Sequence, residues 1–167
     1  MEIYNGSISI KDTMGKIIFW DLDGTLAPYR FNGHVADPDG ANTGMSRQEI
    51  QEGCFFYRAP SRHMQRVIDE CGAKLHLIMG HCHDPKEYED KNTWLDRYYP
   101  MIKERLLTDD NIPKFETIIG YCQQHGISLQ DVLFVDDSLK HVFAAERHGI
   151  SSWHISSFLD WNSANKV

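Results

Sequence analysis

Apolar residues are grouped along this chain in short runs, separated by stretches in which they recur every three or four residues. The first run, residues 16–20, is rich in β-branched and aromatic side chains and predicts a strand. Later runs of the same kind predict four further strands, at 74–79, 103–108, 132–135 and 152–155. The stretches between the strands predict helices, because their spacing places the apolar residues on one face.

Four helices are expected between these strands. The first two cover residues 61–71 and 85–99, Pro113 opens the third, and Gly149 stops the fourth. The spacing predicts the core-facing residues of the four helices in turn: Met64, Val67, Ile68 and Cys71; Tyr88, Trp94, Leu95 and Tyr98; Phe115, Ile118, Ile119 and Cys122; and Leu139, Val142 and Phe143. Such alternation predicts an α/β fold, a three-layer sandwich in which helices cover both faces of a parallel five-stranded sheet.

The length of 167 residues corresponds to one domain, 1–167, with an expected core at about 15–156. Residues 1–13 are expected to form a loose extension before an alternative start at Met14. The composition, 41% hydrophobic and 25% charged, is that of an ordinary globular protein. The net charge of -7 disfavours nucleic acid as a partner, and no apolar stretch is long enough for a membrane span.

The cysteines predict the redox state of the protein. They show no paired framework, and a chain of this size can bury a core without disulfides. No signal peptide is evident. We therefore expect reduced thiols and a cytoplasmic protein. The thiols in question are Cys54, Cys71, Cys82 and Cys122.

Residues 27–60 are predicted to form a long loop, because Gly, Pro, Asn and Asp are scattered through them. Loops of this length are uncommon inside compact domains and are usually functional. We interpret this loop as a small lid over a ligand site. Its candidate substrate-contacting residues are Arg30, Asn32, His34, Arg47 and Arg58.

Acidic residues follow two of the predicted strands. Asp21 and Asp23 come after the first strand, and Asp136 and Asp137 come after the fourth. Ligands of parallel sheets bind beyond the carboxyl ends of the strands, so we expect these carboxylates to share one edge. The same edge is expected to carry Gly80, His81 and Lys114. Clustered carboxylates suit Mg²⁺, and an aspartate can attack phosphorus.

Three segments resemble motifs of the haloacid dehalogenase (HAD) superfamily. Asp-Leu-Asp-Gly-Thr-Leu at 21–26 resembles the first motif, and Val-Leu-Phe-Val-Asp-Asp-Ser at 132–138 resembles the acidic fourth motif. Lys114, at the head of a helix, resembles the lysine of the third motif. The resemblance runs from about Lys16 to Ile155 and implies the sheet order 3-2-1-4-5. No cap-sized insert precedes Lys114, so the chain is similar to capless or minimally capped phosphatases.

The resemblance implies a Mg²⁺-dependent phosphomonoester hydrolase in which Asp21 would be the nucleophile, carrying an aspartyl-phosphate intermediate, and also a metal ligand. Asp23 would be the acid/base, with its backbone carbonyl on the metal, and its presence favours phosphate chemistry over dehalogenation. Lys114 would bind the phosphate and Asp21. Asp137 would be the direct metal ligand, with Asp136 assisting. The substrate stays open among a nucleotide, a sugar phosphate and a phosphoprotein, and so does the oligomeric state.

One motif departs from the family pattern. The second motif ends its strand with Ser or Thr, whereas residues 77–80 end in Gly80. We expect backbone amides around Gly80 and His81 to hold the phosphoryl oxygen instead, with help from the His81 side chain. This predicts weak catalysis, and a Gly80→Thr variant that is tolerated or more active.

Other interpretations of these residues also need testing. A receiver domain pairs strand-end aspartates with a lysine, but its acidic pair follows the first strand rather than the fourth. A non-catalytic phosphate-binding domain of the same fold is favoured by Gly80. His81-Cys82-His83 lacks a second ligand pair at zinc spacing and is interpreted as a loop, as are Asp109 and Asp110. Structural roles are expected for His76, Trp94, Trp153 and Trp161.

Overall fold

The computed structural model describes residues 6–28 and 58–161, which form a parallel five-stranded sheet between two layers of helices. The strand order β3-β2-β1-β4-β5 confirms the expected α/β architecture. Every neighbouring pair of strands is parallel. The strands are β1 (Ile17–Asp21), β2 (Leu75–Cys82), β3 (Glu104–Asp109), β4 (Val132–Asp136) and β5 (Ser152–His154).

The described helices are α1 (Ile10–Thr13), α2 (Arg62–Glu70), α3 (Pro85–Tyr98), α4 (Lys114–His125) and α5 (Leu139–Arg147), with short 3₁₀ turns at Leu129–Asp131 and Ile155–Phe158. Local chemistry sets their ends. The Asp84 side chain accepts the backbone N–H of Glu87 and caps α3, whose first residue is a proline. Gly126, with φ of 65°, ends α4 in the left-handed conformation that glycine adopts without steric cost.

The sheet separates two hydrophobic clusters. One contains Ile18 and Trp20 of β1, together with residues of α2 and α3. The other contains Ile17 and Phe19 of β1, together with residues of α4 and α5. Because successive side chains of a strand point to opposite faces, each residue of β1 and β2 can be assigned to one face of the sheet or the other. β1 and β4 lie at the centre and are buried along their whole length.

β2 is longer than the sequence pattern predicts. It continues past residue 79 to Cys82, because β3 pairs with it as far as the register Cys82↔Asp109. The expectation that Gly80 and His81 follow the strand is therefore wrong, since both lie inside β2. The loop expected at His81-Cys82-His83 begins only after Cys82.

Three apolar helix residues expected in the core are exposed. The buried stripe of α3 is centred on Glu87, Lys91 and Trp94, so Tyr88 lies at its edge and is 50% exposed. On α5 the buried residues are Val142 and Ala145. Leu139 and Phe143 are each more than half exposed, because the helix turns the face of Val142 and Ala145 to the core and the face of Leu139 and Phe143 to solvent.

From residue 6 onwards, the segment before β1 packs against the rest of the domain and is not the loose extension that was expected. Ile8 is buried, and its backbone N–H donates to the Ser157 carbonyl at 3.0 Å. The Thr13 hydroxyl donates to the Cys71 carbonyl at 2.8 Å. Phe158 and Trp161 are buried beside Ile8, so the core extends on both sides of the range 15–156.

Most of the expected lid falls outside the described residues. The structure does not describe residues 29–57, so the predictions for Arg30, Asn32, His34 and Arg47 lie outside the described residues. Arg58 is described and lies beside Asp23. Within the described ranges, no helix has the length and apolarity needed to span a bilayer. The cysteines described there, Cys71, Cys82 and Cys122, are buried free thiols.

Candidate active site

Asp21 is the last residue of β1, and a tight turn follows it directly. The backbone N–H groups of Leu26 and Ala27 both donate to the Leu22 carbonyl, and Gly24 has φ of 82°. A side chain at Gly24 would strain this left-handed conformation. The turn brings the Thr25 hydroxyl to 3.5 Å from Asp21 Oδ2 and closes the chain over the end of the strand.

Three carboxylates meet at the carboxyl ends of β1 and β4. Oxygen atoms of Asp21, Asp136 and Asp137 all lie within 4.8 Å of one another. Lys114, the first residue of α4, donates to Asp21 and, at 2.8 Å, to Asp136. Asp21, Asp136 and Lys114 are buried. The expected convergence of acidic residues with Lys114 therefore holds for these side chains.

Asp136 already has several hydrogen-bond donors. Its Oδ1 accepts the backbone N–H of Ser138 at 2.7 Å, and its Oδ2 lies 3.2 Å from His141 Nδ1 in addition to the bond from Lys114. Within the described ranges, no side chain donates a hydrogen bond to the Asp137 carboxylate. The His154 ring instead holds the backbone of this turn, with Nε2 at 2.9 Å from the Asp137 carbonyl.

The electrostatics of the cluster favour a cation. Burial and the neighbouring Asp136 raise the pKa of Asp21 well above its usual range, and Lys114 offsets them only in part. Burial and Asp136 also raise the pKa of Asp137 to about 6. For Asp136, burial opposes ionisation, but Lys114 and His141 hold its pKa at about 2. An additional positive charge would relieve the remaining repulsion, and the oxygen-only donor set fits Mg²⁺.

Asp23 lies in a second charged group. Its Oδ1 accepts from Arg58 Nη1 at 3.1 Å, and its Oδ2 lies 2.7 Å from Lys91 Nζ. Lys91 also lies 2.7 Å from Glu87 Oε1 and donates to the His81 carbonyl at 2.5 Å. The Asp23 carboxylate is thus oriented by cations of its own, while its negative charge still raises the pKa values of Asp21 and Asp137.

Met79, rather than Gly80, is the β2 residue on the face of Asp21. Met79 pairs in register with Asp21 and belongs to the same cluster as Phe19. A Cβ atom on Gly80 would lie on the opposite face, 3.1 Å from Leu107 Cδ2 and 3.5 Å from Leu22 Cβ. Neither Met79 nor Gly80 offers a hydroxyl. The departure from the second motif therefore concerns two positions of this strand.

The histidines near the site differ in their partners. His81 Nε2 lies 3.0 Å from the Ile112 carbonyl and must carry the proton, because a carbonyl can only accept. Burial and Lys114 lower the pKa of His81 to about 4, so its ring is neutral at pH 7. His83 pairs with Asp110 at 3.1 Å, away from any metal-like cluster among the described residues. His76 has the expected structural role, since it accepts the Trp20 indole N–H at 3.0 Å.

Sequence reasoning missed Lys91, Glu87 and His141. The i,i+4 spacing of Glu87 and Lys91 was visible, but such pairs usually lie on a solvated helix face. His141 gave no signal of its own, because its contact with Asp136 depends on the direction in which α5 leaves β4. Arg58 was a candidate only as one of several basic residues of the lid.

No family model matches the chain, and no curated protein matches it either. Solved structures do match. A haloacid dehalogenase-like hydrolase from Streptococcus pneumoniae aligns with a TM-score of 0.56, covering 87% of this chain and 92% of its own, at 14% identity. A putative phosphoglycolate phosphatase from Lactobacillus plantarum aligns with a TM-score of 0.53, covering 93% and 92% of the two chains, at 14% identity.

A third similar structure is a HAD family enzyme from Bacteroides thetaiotaomicron, a mutant in complex with magnesium and inorganic phosphate. It aligns with a TM-score of 0.53, covering 83% of this chain and 93% of its own, at 13% identity. At these identities the likeness concerns the fold. Together with the strand order and the carboxylate cluster at the strand ends, it confirms the resemblance at that level: this chain has the haloacid dehalogenase-like fold.

Proposed function

We propose that this protein is a Mg²⁺-dependent phosphomonoester hydrolase with Asp21 as its nucleophile. The observation that carries the proposal is the buried cluster of Asp21, Asp136 and Asp137 beside the Lys114 ammonium. The fold is shared with a putative phosphoglycolate phosphatase and with an enzyme crystallised with magnesium and phosphate, which supports this reaction. Aspartates are known to attack phosphorus and form aspartyl phosphates.

The ion would be held mainly by Asp21 and Asp137. Asp136 is already engaged by Lys114, His141 and the Ser138 amide, so we propose that it assists rather than ligates directly. The Asp23 backbone carbonyl would complete the protein ligands. Bound Mg²⁺ would neutralise the cluster and withdraw charge from a phosphoryl oxygen.

The protein's own residues would carry the two half-reactions. An ionised Asp21 oxygen attacks phosphorus and forms the aspartyl phosphate while the ester oxygen departs, and Asp23 donates a proton to that oxygen. The Asp23 carboxylate then takes a proton from the water that attacks the aspartyl phosphate, which releases phosphate and regenerates Asp21. Lys114 holds a position from which its charge stabilises both Asp21 and a phosphoryl oxygen.

The remaining phosphoryl contact is proposed for the His81 amide. The Met79 carbonyl accepts from the backbone N–H of Leu22, and the N–H and C=O groups of alternate strand residues point the same way. The His81 N–H therefore points to the β1 side, beyond the last β1 pair, whereas the Gly80 N–H points towards β3. The neutral His81 ring donates to Ile112 and has no second N–H for a phosphate.

We propose a capless or minimally capped site, and one of the described connections supports it. Only residues 110–113 join β3 to α4, which leaves no room for a cap domain there. A site of this kind is open to small phosphorylated molecules and to phosphoproteins. The free thiols of Cys71, Cys82 and Cys122 support a reducing compartment such as the cytoplasm.

A non-catalytic phosphate-binding domain is the second candidate. It is favoured by Met79 and Gly80, because β2 supplies no hydroxyl for the phosphoryl group. The receiver alternative is disfavoured by topology, since flavodoxin-like receivers have the strand order 2-1-3-4-5 rather than the order found here.

The test is a panel of phosphomonoesters, assayed for phosphate release with Mg²⁺ and with EDTA. The panel contains nucleotides, sugar phosphates, phosphopeptides and p-nitrophenyl phosphate. We expect Mg²⁺-dependent turnover of at least one class by the wild-type protein and none by Asp21→Asn. Turnover that EDTA leaves unchanged would remove the metal from the proposal. No turnover of any substrate, with Mg²⁺ binding intact, would favour the non-catalytic domain.

A further inference from the structure

A buried lysine joins the turn of Asp23 to two other elements. Lys91 of α3 is 2% exposed, and its ammonium contacts Asp23 Oδ2 at 2.7 Å, Glu87 Oε1 at 2.7 Å and the His81 carbonyl at 2.5 Å. Glu87 is buried as well, and its Oε2 accepts the backbone N–H of His83 at 2.7 Å. One ammonium thus connects α3, the end of β2 and the turn after β1.

Stability alone gives a poor account of this arrangement. A buried ion pair loses much of its Coulombic gain to desolvation, and apolar replacements of similar volume are often neutral or stabilising. Burial opposes the charge on Lys91, but Asp23 and Glu87 raise its pKa above the usual range. Lys91 is therefore a fixed positive charge rather than a proton carrier, and its burial keeps it from reaching a substrate.

The contacts of the Asp23 side chain indicate which group the Lys91 ammonium acts on. The backbone of Asp23 forms a bridge with Ala27, and its side-chain oxygens have separate partners. Lys91 holds Oδ2, and Arg58 holds Oδ1 at 3.1 Å. A carboxyl group that protonates a leaving oxygen must be aimed within narrow limits, because small displacements of a reacting group cost much of its effect.

We propose that Lys91 is a positioning residue for the acid/base step: it aims the Asp23 carboxyl at the oxygen of the leaving group. The proposal rests on the phosphomonoesterase function proposed above and deepens it. Glu87 contributes to the same positioning, because its carboxylate neutralises Lys91 and holds the ammonium group that contacts Asp23.

The test is the double variant Glu87→Gln/Lys91→Met, which removes the pair without leaving a buried charge unpaired. We expect kcat for an alkyl phosphate to fall about 10²-fold, with KM unchanged, because general acid catalysis supplies ~10²–10⁴-fold. With p-nitrophenyl phosphate, whose leaving group needs little protonation, we expect a loss of about threefold or less. The matched control is Lys86→Met, an exposed position on the same helix, which should leave both rates unchanged.

The same double change is also made in an Asp23→Asn background. Positioning predicts no further loss there, because the group being aimed is already gone, whereas general damage to the fold would lower the rate again. If the first double variant does not fold, Glu87→Gln/Lys91→Gln replaces it and should show the same dependence on the leaving group.

If the wild-type protein is active, three results would overturn the positioning role alone. The double variant could lose equal activity on both substrates, lose none on either, or cause a further loss in the Asp23→Asn background. Wild-type protein that hydrolyses no phosphomonoester would overturn the proposed function and this inference with it.

Discussion

In the proposed reaction, Asp21 would be subject to two opposing demands. Burial and Asp136 favour its protonated form, whereas attack on phosphorus needs the ionised form. Lys114 contributes part of the required positive charge through its bond to Asp21. We propose that a bound cation supplies the rest, which would make the buried and crowded position of Asp21 compatible with the role of nucleophile.

The first prediction concerns this nucleophile. Asp21→Asn should reduce Mg²⁺-dependent phosphate release to background, because an amide does not attack phosphorus. The fold should persist, since Lys114 keeps its 2.8 Å bond to Asp136. Phosphate release and far-UV circular dichroism measure the two effects. Wild-type turnover by this variant would exclude Asp21 as the nucleophile.

The second prediction concerns Asp137 and pH. Burial and Asp136 raise its pKa from 3.8 to about 6 in the folded protein. The folded state therefore keeps this proton longer than the unfolded state, and the stability gained below about pH 4 is lost as the pH rises through about 6. Mg²⁺ requires the ionised carboxylate, so its affinity should increase over the same range.

Thermal melts measure this effect directly. The rise in melting temperature caused by Mg²⁺ should be several-fold larger at about pH 7.5 than at about pH 5, because bound ligand stabilises by mass action. Asp137→Asn should remove most of the rise at the higher pH. Equal rises at both pH values would contradict the role of Asp137 as a direct ligand.

At the scale of elements, β2 supplies the residues that would hold the phosphate in the proposed reaction. Its pairing with β3 extends it to Cys82, and its register with β1 puts Met79 on the face of Asp21. A side chain at Gly80 would lie on the opposite face of the sheet, beside Leu22 and Leu107. The second motif of the resemblance would place a hydroxyl beside the proposed nucleophile, and Met79, rather than Gly80, occupies the position on that face.

The third prediction compares substitutions at these two positions. Met79→Thr places a hydroxyl on the face of Asp21 and should raise turnover about tenfold or more, since one donor to a transition-state charge is worth ~10²–10³-fold. Gly80→Thr should not raise it, because its Cβ would lie 3.1 Å from Leu107 Cδ2 and its hydroxyl would face the core. We expect Gly80→Thr to cost about 1–3 kcal/mol of stability.

Turnover is measured relative to the folded fraction of each variant. This correction matters because Met79 is buried, and its replacement by a smaller residue destabilises the core. A gain in activity from Gly80→Thr, without one from Met79→Thr, would show that the assignment of the two faces is wrong.

At the scale of the whole molecule, the two ends of the described chain close one side of the core. Ile8 packs in the same cluster as Phe158 and Trp161, and its backbone bonds to Ser157. Thr13 is buried against the end of α2. The segment before β1 is therefore part of the domain from residue 6 onwards.

The fourth prediction tests this packing. Ile8→Ala should lower the free energy of unfolding by about 2–4 kcal/mol, because truncation of a buried aliphatic side chain leaves a cavity. Met14→Ala is the matched control, since Met14 is 61% exposed and should change stability by less than about 0.5 kcal/mol. Denaturant titration measures both values. Equal effects of the two substitutions would indicate that the segment is not part of the cooperative fold.

The sequence by itself determined the elements and the order of the chemical groups. β1 and β4, the head of α4 at Lys114 and the aspartates at strand ends were all predicted, because strand propensity, proline and apolar spacing act over a few residues. The strand order was implied by the resemblance and is confirmed. These local signals were enough to predict that Asp21, Asp136, Asp137 and Lys114 lie close together.

Only the tertiary structure decided where β2 ends and which partners Asp23 has. The length of β2 depends on β3, a strand whose contribution is invisible in the sequence of β2 itself. The cations on Asp23 come from Arg58 and Lys91, far away along the chain. Charged residues normally face solvent, so the burial of Glu87 and Lys91 follows from the long-range pairing with Asp23 rather than from any local pattern.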